Sequence, residues 1–214
     1  MKQGHPDYIV VEGPIGVGKT TLARKLANTF DTDLMLELAA ENPFLPRFYS
    51  DPKSVALPTQ LFFLFQRAKQ LESLRQTDMF KPVQVSDFLI DKDKLFASIT
   101  LDDDELALYH QVYERLTLNA PTPDLVIYLQ APVDTLMQRI FERGHDFERP
   151  INRSYLKKVS DAYIEFFYHY NNSPLLIVNT NDFDLSNNER DYELLLEHIK
   201  QLPPGRHYFN PNEL

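Results

Sequence analysis

The stretch Gly13-Pro14-Ile15-Gly16-Val17-Gly18-Lys19-Thr20 decides the fold of this 214-residue chain. It satisfies the pattern G-x-x-x-x-G-K-[ST] of a phosphate-binding loop. Glycines let the backbone curl so that successive N–H groups point inward at a phosphate, and the helix that follows adds its positive end. The apolar run at 8–11 predicts a strand before the loop, and the sequence at 21–27 predicts a helix after it. This context predicts that the chain binds a nucleoside triphosphate.

The side chains of the loop divide the work of holding that triphosphate. Lys19 is predicted to reach the outer phosphates, and the Thr20 hydroxyl is predicted to hold Mg²⁺. The residues assigned to ATP binding are Gly13, Pro14, Ile15, Gly16, Val17, Gly18, Lys19, Thr20 and Thr21.

Composition narrows the class of protein. The formal net charge of −9 argues against a nucleic-acid-binding surface. The chain has no cysteine, which excludes disulfides and thiolate zinc sites and fits a reducing cytoplasm. Its start lacks the apolar segment of a signal peptide, and no apolar run approaches the roughly 20 residues that span a bilayer. We expect a cytoplasmic protein without a nucleic-acid or membrane partner.

Short apolar strands alternate with helical patterns along the whole chain. Strands are predicted at 8–12, 34–37, 82–87, 125–129 and 175–178. Short, almost wholly apolar strands separated by helices indicate a parallel sheet covered on both faces. We therefore predict an α/β, three-layer fold of the P-loop NTPase type, with a five-stranded parallel sheet flanked by helices. One domain is expected over 1–214, with a short lid at about 143–150 and a loose tail at about 203–214.

Two carboxylates follow predicted strands. In open α/β sheets ligands gather at the carboxyl ends of the strands, so Glu37 and Asp87 should both face Lys19. Asp87 has the setting of an acid that helps to hold Mg²⁺; the alternative is a surface acid or a helix cap. Glu37 is placed to accept a proton from an attacking hydroxyl, as phosphoryl transfer to an alcohol requires. Its alternative is an ordinary loop acid.

A basic group lies further along the chain. Arg139 and Arg143 are four residues apart, hence on one helical face, and Arg149 follows. Like charges at this spacing mildly destabilise a helix, although Glu142 reduces the effect. The pattern is typical either of a solvated basic face or of a lid whose guanidinium groups close over the triphosphate.

Taken together, these features resemble the deoxynucleoside kinases, and most of all the bacterial deoxyadenosine/deoxyguanosine kinase branch. The resemblance covers about residues 8–200. No single motif after the loop is specific, but their order and spacing are. They are the loop, Glu37-Leu38-Ala39-Ala40-Glu41-Asn42-Pro43-Phe44, Gln60 with Arg67, Asp87, Arg139…Arg143-Gly144 and Glu148.

The resemblance implies a role for each matching residue. Glu37 matches the general base for the 5′-hydroxyl, Gln60 the amide that reads the base edge, and Tyr49 with Glu148 the pair that holds the 3′-hydroxyl. The implied catalytic set is Glu37, Lys19, Arg139 and Arg143, with both arginines in the lid. The implied substrate-binding set is Glu37, Tyr49, Gln60, Arg67, Asp87 and Glu148. The implied metal environment is Thr20 and Asp87. Phe63 and Phe96 are candidates for apolar walls around the base, with core packing as the alternative.

The chain departs from the family pattern at three positions. Phe88 follows Asp87 where family members commonly have an arginine, Leu38 stands where proline is frequent, and His145 occupies the second basic position of the lid. Lys92 and Lys94 are the candidates to supply the missing positive charge.

The resulting hypothesis is ATP- and Mg²⁺-dependent phosphorylation of the 5′-hydroxyl of a deoxynucleoside, with a purine favoured and a homodimer implied by the family. One alternative is a nucleoside monophosphate kinase, in which Arg47 and Arg67 would hold the acceptor phosphate. Another is a non-catalytic ATP-binding regulatory module, suggested by Phe88. A GTPase is disfavoured, because Asn179-Thr180-Asn181-Asp182 differs from a guanine-reading segment. The preferred deoxynucleoside and the phosphate donor are left open.

Overall fold

A parallel sheet forms the centre of the structure, a computed structural model that describes residues 6–76, 84–117, 119–181 and 188–210. Within these ranges the sheet has six strands in the order β2-β3-β1-β4-β5-β6. They are β1 (Tyr8–Glu12), β2 (Asp33–Met35), β3 (Gln84–Ser86), β4 (Leu125–Gln130), β5 (Leu175–Asn179) and β6 (Arg206–Phe209).

Helices cover both faces of this sheet. They are α1 (Lys19–Phe30), α2 (Leu45–Ser50), α3 (Ala56–Gln76), α4 (Lys92–Thr100), α5 (Asp103–Thr117), α6 (Val133–Arg143), α7 (Arg153–His169) and α8 (Glu189–Lys200). Pro58 is the third residue of α3, so it marks the start of that helix instead of kinking it, because a first-turn N–H needs no helical partner. None of the described helices combines the length and apolarity that a membrane crossing requires.

The three layers follow from the apolar strands. Ile9 and Val11 of β1 pack with Leu22 and Leu26 of α1 in one core cluster. Val10, which points to the opposite face, packs with Tyr163 in a second cluster. Because side chains alternate between the faces of a strand, a strand that is apolar throughout needs a helix layer on each side.

The tail differs from the sequence prediction. The prediction of five strands omitted β6, which pairs in parallel with β5 so that Ile177 lies opposite Tyr208. Phe209 is only 5% exposed and belongs to the core. The expectation of a loose tail is therefore wrong for 206–209, where one aromatic side chain anchors a four-residue edge strand. Residues 211–214, and residues 82–83 of the predicted third strand, lie outside the described ranges.

The parallel sheet brings the ends of three strands together. Gly13 follows β1, Glu37 comes two residues after β2, and Asp87 follows β3 directly. Since β2, β3 and β1 are neighbours and run the same way, these residues meet at one edge of the sheet.

Candidate active site

The loop after β1 depends on its glycines. Gly13 and Gly16 have φ angles of 149° and 84°. A Cβ would lie 2.5 Å from the Leu129 carbonyl oxygen at Gly13 and 2.8 Å from the Leu136 carbonyl oxygen at Gly16. Larger residues are thus excluded both by the backbone conformation and by the neighbouring backbone. The loop can therefore lie directly against β4 and α6.

Lys19 begins α1 and folds back over the loop. Its Nζ donates hydrogen bonds to the carbonyl oxygens of Gly13, at 2.8 Å, and Pro14, at 3.2 Å. Burial lowers the pKa of Lys19, and the nearby charge of Lys92 acts in the same direction. A bound phosphate would supply the counter-charge that these carbonyl groups offer only in part.

Thr20 and Asp87 form a hydrogen-bonded pair beside Lys19, in the part of the site that would hold the phosphate donor. The Thr20 hydroxyl donates a hydrogen bond of 2.5 Å to Oδ2 of Asp87. Burial raises the pKa of Asp87, although the Thr20 hydrogen bond opposes the shift. A hydroxyl and a carboxylate are hard oxygen ligands, and Mg²⁺ beside a triphosphate commonly uses one or two protein ligands together with phosphate oxygens and water. The pair therefore fits a magnesium ion.

Glu37 lies next to this pair. Its backbone N–H donates a hydrogen bond of 2.7 Å to Oδ1 of Asp87. Its carboxylate pairs with the Arg67 guanidinium, and Nζ of Lys92 lies 3.1 Å from its Oε1. Burial alone would raise the pKa of Glu37, but the charges of Arg67 and then of Lys92 outweigh burial and hold this pKa well below its usual range. Glu37 is therefore an ionised hydrogen-bond acceptor.

Glu37 belongs to a buried chain of alternating charges. Lys92 lies between Glu12 and Glu37, and Arg67 lies between Glu37 and Asp93. Glu12 and Asp93 are fully buried. Sequence reasoning missed both; the available signal for Glu12 was an acid that closes an apolar strand just before the loop. Buried charges of this kind persist only when they are paired, so each member holds its neighbours in place.

A cavity of about 490 Å³ joins these groups. It brings together the loop at one end and a pocket between α2, α3, α4 and α7 at the other. The predicted residues that line it are Ile15, Gly16, Lys19, Thr20, Glu37, Tyr49, Gln60, Phe63, Arg67, Asp87, Phe96, Arg143, His145 and Glu148. The other residues assigned to ATP binding form the loop and the first turn of α1 without lining this cavity: Gly13, Pro14, Val17, Gly18 and Thr21.

Gln60 lies in the wall of the pocket. Its side chain is buried, and among the described residues it has no side-chain hydrogen bond. Phe63 and Phe96 line the same pocket and also pack in core clusters. Each of them therefore serves both as a pocket wall and as part of the core. A buried amide and two aromatic rings in the lining of one pocket suit a planar, hydrogen-bonding ligand.

Tyr49 and Glu148 both line the cavity. Tyr49 packs edge-on against Phe48 and Tyr155, with ring centroids 5.6 and 6.0 Å apart. Burial raises the pKa of Tyr49 well above its usual value, with Tyr155 and Glu148 adding to the shift. The Tyr49 hydroxyl therefore stays protonated and able to donate. Glu148 accepts two hydrogen bonds from Arg143, at 2.6 and 3.1 Å.

The three basic residues of the predicted lid make contacts in different parts of the structure. Arg143 lines the cavity, whereas Arg139 does not: its guanidinium donates to the Thr180 carbonyl oxygen at 2.7 Å and to the Val17 carbonyl oxygen at 3.4 Å. Arg149 is exposed and pairs with Asp146. The structure thus ties Arg139 to the back of the phosphate-binding loop, because the end of α6 packs beside that loop and the turn after β5.

The cations proposed for a monophosphate acceptor are also engaged or remote. Arg67 is paired with Glu37 and Asp93. Arg47 is exposed, and its nearest described partner is the Ser54 carbonyl oxygen at 3.5 Å. The charge of Arg67 is neutralised by two carboxylates, and Arg47 does not line the cavity, so neither is placed to hold an acceptor phosphate there.

Comparison with known proteins identifies relatives of the same kind. The family model for deoxynucleoside kinase matches residues 9–203. Deoxyguanosine kinase of Bacillus subtilis is 37% identical over 201 residues, which covers 91% of this chain and 97% of the relative. Deoxyadenosine kinase of Lactobacillus acidophilus is 30% identical over 207 residues, which covers 90% of this chain and 94% of the relative.

Solved structures share the fold. Deoxyadenosine kinase from M. mycoides with the product dCMP and dCDP bound superposes with a TM-score of 0.79, and the same enzyme with bound dATP with 0.77. Each comparison has 23% sequence identity and covers 91% of this chain and 100% of the other.

Proposed function

This chain belongs to the deoxynucleoside kinase family, and we propose that it transfers the γ-phosphoryl group of ATP to the 5′-hydroxyl of a purine deoxynucleoside. Deoxynucleoside phosphorylation is the activity of the family; the purine preference is the finer part of the proposal. It is supported by relatives named as deoxyguanosine and deoxyadenosine kinases. Gln60 carries both a donor and an acceptor, which can pair with an adenine, guanine or cytosine edge, so the purine preference rests on the names of the relatives.

One observation carries the proposed mechanism: Glu37 and the Thr20–Asp87 pair share one cavity and are joined by a direct hydrogen bond. A nucleoside held by Gln60 at its base, and by Tyr49 and Glu148 at its 3′-hydroxyl, would direct its 5′-hydroxyl to Glu37. The triphosphate would lie on the loop and Lys19, on the opposite side of the same carboxylate.

Phosphoryl transfer to the 5′-hydroxyl does not require a strong base. The 5′-oxygen forms a bond to the γ-phosphorus while the bond from that phosphorus to the bridging oxygen of ADP breaks, and the electron pair leaves with ADP. In a loose transition state the hydroxyl becomes acidic late, so an ionised carboxylate with a low pKa first orients the hydroxyl and then accepts its proton.

Mg²⁺ bound at Thr20 and Asp87 would neutralise charge on the β- and γ-phosphates. Arg143 has a guanidinium nitrogen beyond the two that bind Glu148, and we propose that it reaches the transferred group when the segment at 143–150 closes. Arg139 would act indirectly, by fixing the loop through the Val17 carbonyl oxygen.

A homodimer is proposed through α3 and α5. These helices pack together, and Phe65 on α3 and Leu108 on α5 are 53% and 49% exposed. Large apolar side chains on adjacent helices are typical of a protein interface. The cytoplasmic location and the single-domain organisation stay predictions.

The test is a phosphorylation panel. Purified protein is assayed with ATP and Mg²⁺ against deoxyadenosine, deoxyguanosine, deoxycytidine, thymidine and their monophosphates, with ADP and the nucleotide product both quantified. We expect a purine deoxynucleoside to have the highest kcat/KM and the monophosphates to be inactive. Preference for a pyrimidine would overturn the purine assignment, and preference for a monophosphate would overturn the acceptor assignment.

A further inference from the structure

Lys92 is a buried cation that has no part in the mechanism above, and it is one of the two lysines that could replace the charge missing at position 88. It is the first residue of α4 and only 1% exposed. Its Nζ lies 3.1 Å from Oε1 of Glu37 and 3.5 Å from Oε2 of Glu12. A lysine is seldom fully buried unless it is paired, so the surroundings of this amino group determine what it does.

Neutralising Glu12 is the simpler explanation, and the hydrogen bonds argue against it. Glu12 already accepts hydrogen bonds from the backbone N–H groups of Gly13 and Leu89, at 2.9 and 2.7 Å, and from the Tyr163 hydroxyl at 2.9 Å. These donors satisfy both of its oxygens. Lys92 is nearer to Glu37, and it lines the cavity, whereas Glu12 does not.

The position of Glu37 explains why it needs a second cation. A triphosphate on Lys19 brings several negative charges next to this carboxylate, and like charges repel it from the position that faces the acceptor. Arg67 is shared with Asp93, so its charge serves two acids. Phe88, next to the strand-end acid Asp87, is fully buried in the core and supplies no charge.

We propose that Lys92 is a positioning residue for phosphoryl transfer: its amino group, 3.1 Å from Oε1 of Glu37, holds that carboxylate turned toward the acceptor hydroxyl while the triphosphate is bound. The inference rests on the proposed function, and it adds a residue outside the sets given above. Lys92, on the first turn of α4, would then supply the positive charge that Phe88 does not provide.

Several titratable groups besides Lys92 interact with Glu37. Their elements surround it: α1, α2, α3, α7 and the residue after β3. They are Lys19, Tyr49, Arg67, Tyr163 and Asp87. Of these, Lys19 and Arg67 favour the charged form and Asp87 opposes it. Removal of Lys92 therefore leaves Glu37 with less support but still paired.

The first experiment compares Lys92→Met with Lys94→Met in the whole protein. Lys94 is two residues further on α4, exposed, and packs its amino group over Tyr113, so it controls for loss of a lysine on this helix. The readouts are kcat and KM for the preferred deoxynucleoside, measured separately at saturating ATP and Mg²⁺. For Lys92→Met we expect kcat to fall about 10²-fold with KM little changed, and we expect Lys92→Arg, which keeps the charge, to recover part of kcat. Lys94→Met should match the wild type.

The second experiment separates positioning from structural neutralisation of Glu12. In Glu12→Gln/Lys92→Met both members of that pair lose their charge, so no unpaired charge remains there. We expect its melting temperature to recover relative to Lys92→Met, while its kcat stays about 10²-fold below that of the single variant Glu12→Gln, which controls for the hydrogen bonds that Glu12 accepts. Equal kcat in the double variant and in Glu12→Gln would show a purely structural lysine and overturn the inference, as would a wild-type kcat in a folded Lys92→Met.

The wild-type assay separates a failure of the proposed function from a failure of the role proposed for Lys92. If the wild type phosphorylates no deoxynucleoside, the proposed function fails first. If the wild type is active and the variants behave as Lys94→Met does, only the role of Lys92 fails.

Discussion

The backbone N–H of Glu37 donates a 2.7 Å hydrogen bond to Oδ1 of Asp87. The other carboxylate oxygen of Asp87 accepts from the Thr20 hydroxyl at 2.5 Å. One side chain therefore connects the acid that faces the acceptor to the first turn of α1, which faces the triphosphate. A shift of Asp87 would move both halves of the cavity together.

Asp87→Asn is expected to weaken the use of Mg²⁺. Asparagine keeps an oxygen for the Glu37 N–H but loses the charge that would attract the ion, so we expect kcat to fall about 10²-fold and half-saturation to require more Mg²⁺. Magnesium titrations of initial rate measure both effects. Asp91→Asn, four residues on, is the control, and an unchanged magnesium dependence in Asp87→Asn would contradict the assignment.

The same variant should not be less stable when Mg²⁺ is absent. Burial raises the pKa of Asp87, so its ionised form is disfavoured in the folded protein. That cost is absent below the ordinary pKa of aspartate and grows as pH rises through the raised folded value. We expect Asp87→Asn to melt at or above the wild-type temperature at pH 7, and the difference to vanish in acid. Calorimetry without Mg²⁺ tests this, and a lower melting temperature at pH 7 is the opposing result.

Glu37→Gln should abolish most turnover while sparing ATP binding. The amide cannot take the hydroxyl proton, and we expect kcat to fall by about 10²- to 10⁴-fold. The fold should persist, because Arg67 still pairs with Asp93 and Lys92 with Glu12. Single-turnover rates and binding of a fluorescent ATP analogue provide the measurement. Glu165→Gln, an exposed acid on α7 that does not line the cavity, is the matched control; equal losses in both variants would remove Glu37 from the mechanism.

Glu37 should also stabilise the fold in a pH-dependent way. Its pKa is held below the ordinary value of about 4.3. Its contribution is therefore complete above that value and is lost as pH falls toward the depressed folded pKa. We expect wild type to exceed Glu37→Gln in free energy of unfolding by about 1.5–3 kcal/mol at pH 7, the range for a hydrogen bond to a charged group. Urea unfolding between about pH 3.5 and 7 measures the gap, and a gap that widens in acid would refute the assignment.

Gln60→Met should affect recognition of the base. Methionine keeps the length of the side chain but has no amide, so the loss of two neutral hydrogen bonds predicts a fall in kcat/KM of about 10- to 100-fold. Gln66→Met on the same helix is the control, because Gln66 bonds the exposed Glu41 and lies outside the cavity. Steady-state kinetics with deoxyadenosine and deoxyguanosine supply the comparison. If Gln60→Met and Gln66→Met are equal, Gln60 does not read the base.

Leu108→Glu is expected to dissociate the proposed dimer. A carboxylate on the exposed apolar face of α5 would be desolvated in an interface, and we expect the dissociation constant to rise roughly 100-fold. Light scattering after gel filtration measures the mass. Ile164→Glu on α7, also an exposed apolar position, should leave the mass unchanged. A monomeric wild type, or a dimeric Leu108→Glu, would rule this interface out.

The sequence by itself determined the fold class and the part of the site that would bind the phosphate donor. Glycine spacing, the apolar β1 and the first residues of α1 are local features, and the loop they predict depends on backbone conformation that only glycine adopts freely. The strand-end acids Glu37 and Asp87 could be expected to meet because parallel strands end at one edge. The edge strand β6 could not be predicted, because four residues with one buried aromatic side chain show too little alternation of apolar and polar residues.

Only the tertiary structure decided which charges meet. Glu12, Glu37, Arg67, Lys92 and Asp93 come from four regions of the chain, and each is an ordinary charged residue in its local sequence. Sequence spacing put Arg139 and Arg143 on one face, yet the packing of α6 sends one to the loop and the other to Glu148. Pairing of buried charges depends on distances of a few ångströms between elements far apart in sequence, and those distances exist only once the helices have packed on the sheet.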